Sequence, residues 1–190
     1  MQHFQRELAT WTRWLHIYLS MFSFAALLFF SLTGITLNHS HWIEGHQRVN
    51  VVNGHLLKFN PSDNDELSIV EYLRSTHHIT APLKDFVKEQ DEYSVSFKGP
   101  GYTADGFIDR ADGSYQITIT ESGVIAVMND LHKGRDTGTV WAWLIDVAAV
   151  LMILVSLTGF AMIFFLKKKR LSGLLIAYLG GLLIWLIYSF

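Results

Sequence analysis

The chain has 190 residues, half of them in the hydrophobic set, a formal net charge of −2 and no cysteine. That length allows one membrane module with at most one small soluble domain. The missing thiols exclude disulfides, iron–sulfur clusters, thiolate zinc sites and covalent CxxCH haem attachment.

Residues 1–13 are short and polar, with Arg6 and Arg13 against a single Glu7. Residues 14–37 then form an uncharged apolar run, read as transmembrane helix 1, with His16 and His39 at its two mouths. Twenty-four helical residues reach about 36 Å, enough for a bilayer core of about 30 Å. The run is too long for a signal-peptide core, and no small-residue cleavage pattern follows it, so it is read as a retained anchor. On a helix, Ser20, Ser23, Ser31, Gly34 and Asn38 fall near the stripe that starts at His16. Such a stripe faces protein or a cofactor, or the serines simply bind helices together in lipid.

Residues 38–139 are long enough for a small fold and carry nine Lys and Arg against 15 Asp and Glu, a net of −6. NPSDND (Asn60 to Asp65) supplies turn and cap chemistry for a helix in ELSIVEYLRSTHH. Its Leu67, Ile69, Val70 and Leu73 recur at roughly helical spacing, and Pro82 lies beyond its end. The period then changes to two in Tyr93–Phe97, YTADGFID and YQITITE, separated by the turns KGPG and ADGS. ESG turns once more, and VIAVMND leads back to the membrane. One helix and three or four antiparallel strands predict a small α+β domain inserted in a membrane α-helical chain. Residues 42–59 stay unassigned, with a further hairpin around Asn53-Gly54 as one option.

Residues 140–166 are transmembrane helix 2, 167–170 (KKKR) a cytoplasmic turn, and 171–190 transmembrane helix 3. The two short flanks hold six of the 15 Lys and Arg residues. The positive-inside tendency puts them in the cytoplasm, with residues 38–139 and the C-terminus outside. Helix 3 carries Gly173, Ala177 and Gly181 at four-residue spacing, a packing face for this subunit or for a partner.

The chemistry-bearing residues cluster at the span ends. His16 and His39 lie 23 residues apart, about 34 Å along one helix, so they cannot share one ligand site. His132, in DLHKGR, approaches the same outer face as His39 and His41. Neutral imidazoles there suit axial haem ligation; solvated interfacial histidines are the other reading. The words SLTG recur in both spans, which run in opposite directions. His132 should therefore look toward Gly34, and His16 toward Gly159. A glycine at that depth makes room for a macrocycle, or for close helix packing. Asp146 lies about a turn and a half inside helix 2, where a carboxylate needs a partner such as Arg135, His132 or Asn38, or an interfacial water. Lys133 and Arg135 can meet haem propionates or merely balance the acidic domain. His39, His41, His46 and His55 offer metal-capturing groups without regular ligand spacing, and His77-His78 end a helix where a cation complements the dipole.

The runs RWLHIYLSMFSFAALLFFSLTGITLNH, DLHKGR and WLIDVAAVLMILVSLTGF resemble the PepSY-associated transmembrane family, and the segment between them resembles a PepSY domain. The resemblance covers about residues 10–166. It implies a bacterial inner-membrane protein with a periplasmic PepSY-like domain. Larger relatives with more spans include haem-containing reductases that pass electrons to ferric chelates. By motif, His16, His39 and His132 are the implied ligands of haem b, with His39 and His132 sharing one iron. Helical phase alone favours His41 over His39. The chain is a short, three-span form, so His16 lacks a histidine partner; Met162, a second copy or a partner membrane subunit must supply the other ligand. No nucleotide or flavin motif occurs, so the electron donor is a quinol, another protein, or absent. The implied function is an electron carrier, an oxidoreductase of the ferric-reductase type if it is an enzyme. The alternatives are a non-enzymatic periplasmic binding, regulatory or assembly module and an accessory subunit for metal transport. Membrane lipid is the expected surrounding, and no nucleic-acid partner is expected.

Overall fold

The computed structural model describes residues 2–39, 41, 47–56 and 66–190. In chain order its elements are α1 (Gln2–Asn38), β1 (Gln47–His55), α2 (Glu66–His77), β2 (Leu83–Lys88) and β3 (Glu92–Gly99). There follow β4 (Tyr102–Asp109), β5 (Ser114–Ser122), α3 (Val124–Lys133), α4 (Thr139–Ile163) and α5 (Arg170–Ser189). Helices α1, α4 and α5 are long and apolar enough to cross a membrane. Helix α1 starts twelve residues before the expected span, so the polar N-terminal flank is helical too, with Thr10 and Thr12 hydroxyls bonded to carbonyls four residues back. The chain divides into two compact units, residues 1–29 with 144–190 and residues 30–143.

In the second unit the five strands form one antiparallel sheet in the order β1-β5-β4-β3-β2. The period-two pattern sets its faces: Tyr93, Val95 and Phe97 on β3 are buried, as are Ala104 and Ile108 on β4 and Tyr115 and Ile117 on β5. Helix α2 covers that face with Ile69, Val70 and Leu73. Leu67, placed on the apolar stripe by spacing, is instead 63% exposed, because the first turn of the helix overhangs the core. The opposite sheet face leaves Val49, Val51, Val87 and Phe107 exposed.

Three features depart from the sequence reading. Asn53 and Gly54 do not turn a hairpin; they lie inside β1, opposite Gln116 and Tyr115. Gly54 is there because a Cβ would overlap the Tyr115 ring. Strand β2 adds an edge that no strict alternation announced, since its register shifts between Leu83 and Asp85. The segment after ESG is a helix, α3, whose last turn ends on Gly134 in the left-handed region at φ 67°. The cap signals NPSDND and the segment around His46 lie outside the described residues.

In the first unit α4 ends at Ile163, three residues before the expected boundary, and residues 164–165 continue as a turn, the Phe164 amide bonding the Ala161 carbonyl at 3.2 Å. Gly173, on the first turn of α5, lies against Ile163, where a Cβ would overlap that side chain. No residue of α5 is buried, as expected of a helix whose surroundings are lipid or another chain.

Candidate functional site

Two contacts repeat one arrangement. In the first unit, His16 on α1 reaches the second SLTG stretch, on α4. Its Nδ1 lies 3.0 Å from Thr158 Oγ1 and 3.2 Å from the Val155 carbonyl. The ring sits over Gly159, where a Cβ would come within 3.1 Å of Cε1. In the second unit, His132 on α3 reaches the first SLTG stretch, on α1. Its Nδ1 lies 2.6 Å from Thr33 Oγ1, and its Cε1 is 3.9 Å from where a Cβ on Gly34 would be. The Phe30 ring packs edge-on against it at 5.1 Å between centroids. Each Leu-His thus meets the Leu-Thr-Gly that the antiparallel repeat assigns to it.

The hydrogen bonds carry information about protons. A carbonyl can only accept, so the Val155 contact requires the His16 proton on Nδ1. The Thr158 hydroxyl lies 2.8 Å from the Leu154 carbonyl and 3.0 Å from that of Val155, so it donates within its own helix and accepts from His16. Nε2 of the neutral ring then holds a lone pair, and it makes no hydrogen bond among the described residues. Nε2 of His132 makes none either.

Helix α3 holds His132 in place. Asn129 and Asp130 are both 7% exposed. The Thr36 hydroxyl on α1 donates to Asn129 Oδ1 at 2.6 Å, and the Gly101 amide in the β3–β4 turn donates to Asp130 Oδ2 at 2.9 Å. Arg135 pairs with Asp130 Oδ1, so the guanidinium considered for a propionate is occupied within the chain. Gly101 has φ 68°, and a Cβ there would overlap Val127 on α3. Trp141 Nε1 donates to the Leu131 carbonyl at 2.8 Å. Asn129 and Asp130 carry no sequence reading as site residues, and Thr33 and Thr158 are read there only as the hydroxyls beside each glycine. The sequence signals are a run of polar side chains at the end of an apolar stretch for the first pair, and a hydroxyl before each glycine for the second.

The remaining candidates are placed as follows. His39 donates from Nδ1 to the Ile35 carbonyl of its own helix at 2.9 Å, and its ring is 5.9 Å from that of His41. Met162 is half-buried on α4, one turn beyond Thr158. Asp146 is exposed on α4 and makes no hydrogen bond or ion pair among the described residues. His55 ends β1, with Nδ1 3.2 Å from the Leu56 carbonyl. Among the described residues no group of three or more His, Cys, Asp or Glu is arranged to hold a metal ion. His77 Nε2 lies 2.9 Å from the Tyr115 hydroxyl. Burial, and secondarily the neighbouring His78, lowers its pKa, so it favours the neutral ring over the helix-end cation that its position suggested.

As a donor set for haem, His16 and His132 would each offer the iron a single imidazole ligand, with Nδ1 hydrogen-bonded and Nε2 without a hydrogen-bond partner among the described residues. Each ring, not an open slot, occupies the space above its glycine.

The PepSY_TM-like family matches residues 10–190. No curated protein and no solved structure matches the chain. The family match spans both SLTG stretches, both Leu-His pairs and the whole sheet, and the chain belongs to the PepSY_TM-like family.

Proposed function

We propose that the chain is a b-type haem electron carrier of the bacterial inner membrane and a subunit of a reductase for periplasmic ferric iron or ferric chelates. The observation that carries this reading is the shared state of His16 and His132: Nδ1 tied down, Nε2 without a hydrogen-bond partner among the described residues. A ring anchored in this way cannot swing to use Nδ1, and Nε2 becomes its donor atom. Haem bound there supplies one-electron transfer between the ferric and ferrous states. The chain's own part is to hold and orient each imidazole through Nδ1. His39 is the proposed second ligand for the iron of His132; Met162 or a residue of a second copy completes the site of His16. The six basic residues on the two short flanks put the N-terminus in the cytoplasm and the sheet in the periplasm.

Full-length protein purified from membranes should show a Soret band that shifts on reduction with dithionite. His132→Ala and His39→Ala should each convert a low-spin signal to high-spin or lose haem, and His16→Ala should spare that outer signal. Protein with no haem, or unchanged spectra in both outer variants, refutes the proposal.

A second reading is a non-enzymatic module that presents its PepSY-like domain to a periplasmic partner. It is favoured by the imidazole rings filling the space above the glycines, and by the sheet face that leaves Val49, Val51, Val87 and Phe107 exposed. In that case the two histidines tie helices together, and haem is absent from the purified chain.

A further inference from the structure

The threonine that precedes each glycine has a task that helix packing does not require. At His16 the proton position is set by geometry: Val155 offers only a carbonyl to Nδ1 at 3.2 Å. The Thr158 hydroxyl, already donating to a carbonyl of its own helix, adds a second acceptor at 3.0 Å. His132 repeats the arrangement with one difference. Its Nδ1 has a single hydrogen-bond partner among the described residues, Thr33 Oγ1 at 2.6 Å. Like Thr158, Thr33 has a carbonyl of its own helix to donate to, that of Phe30 at 3.4 Å. A neutral imidazole has one proton for two nitrogens, and the hydrogen bond at one nitrogen decides which form the other takes.

We infer that Thr33 is a positioning residue that sets the tautomer of His132, as the Val155 carbonyl together with Thr158 does for His16, holding the proton on Nδ1 so that Nε2 is the ligand atom. The term ligand atom rests on the haem reading; the tautomer does not. The two sites differ in redundancy. Among the described residues Thr33 is the only acceptor for His132 Nδ1, whereas Val155 stands behind Thr158 at His16. Loss of the hydroxyl should therefore free one ring and not the other, although the two sequence motifs are alike.

The test uses the full chain labelled with 15N-histidine, in lipid nanodiscs and without haem, with ring signals assigned by His16→Gln and His132→Gln. Long-range proton–nitrogen correlations distinguish the two tautomers and the charged ring. Both wild-type rings should show a protonated Nδ1 and a bare Nε2. Thr33→Val should replace the single-tautomer pattern of His132 with a mixture, and Thr33→Ser should restore it. Thr158→Val should leave His16 in its wild-type form. A wild-type ring protonated on Nε2, or a His132 pattern indifferent to Thr33→Val, overturns the assignment. If the valine variant does not fold, a wild-type or Thr33→Ser His132 ring protonated on Nε2 still overturns the assignment. Haem titration of the same samples is read separately. Wild-type tautomers as expected with no haem uptake would refute the haem reading and leave the tautomer assignment standing.

Discussion

The two glycines should respond in opposite directions to the same added methyl group. Replacing glycine by alanine in a helix interior gains about 0.8–1.0 kcal/mol of helix propensity. At Gly34 nothing among the described residues opposes that gain, because the new Cβ would meet His132 Cε1 at 3.9 Å, an ordinary contact. Gly34→Ala should be neutral or stabilise by up to about 1 kcal/mol. At Gly159 the Cβ would stand 3.1 Å from His16 Cε1, so the ring must retreat by a few tenths of an ångström. Its two Nδ1 bonds, at 3.0 and 3.2 Å, lengthen together. Each such bond is worth about 0.5–1.5 kcal/mol net, and an off-rotamer ring costs about as much again. Set against the propensity gain, Gly159→Ala should destabilise by about 1–2 kcal/mol, leaving the two variants about 1–3 kcal/mol apart. Equilibrium unfolding of the full chain in mild detergent, followed by tryptophan fluorescence, measures both. In a His16→Ala background the penalty at Gly159 should vanish, and that cycle isolates the ring contact from the helix effect. Equal stability of the two single variants, or a penalty that survives removal of the ring, refutes the account.

Other consequences are as direct. Gly101→Ala forces a non-glycine residue to φ 68° and pushes into Val127, so it should destabilise by about 2–4 kcal/mol. Hydrogen exchange should rise in β3, β4 and α3, and Val127→Ala in the same chain should recover part of the loss. Lowering the pH should destabilise the sheet unit through His77, whose native pKa burial and His78 depress. Its contribution is complete above the unfolded value of about 6.5 and is lost as the pH falls through that value toward the native one. His77→Gln should flatten this part of the acid limb in a melting series; an unchanged acid limb would show that His77 does not carry it. Fusion reporters should place Met1 and Lys168 in the cytoplasm and both Asp91 and Phe190 outside; a cytoplasmic Asp91 would reverse every assignment of faces.

Much of this chain is readable without coordinates because its strongest signals are local. An apolar run long enough to span a bilayer marks α1, α4 and α5 regardless of what surrounds them. Alternation in Tyr93–Phe97 and Tyr115–Ile119 marks strands because one sheet face is buried and the other is not. Even the facing of Gly34 by His132 and of Gly159 by His16 follows from the position of each motif on spans that run in opposite directions. Tertiary structure decided what local pattern leaves open. Asn53-Gly54 has turn chemistry, yet pairing along the whole of β5 holds it straight, and the Tyr115 ring requires the glycine. Segment Val124–Lys133 is helical because Asn129, Asp130 and His132 each find a partner in α1 or in the β3–β4 turn, far away in sequence. The proton position on each imidazole is of the same kind: it depends on which oxygen lies 3 Å away, and only folding brings that oxygen there.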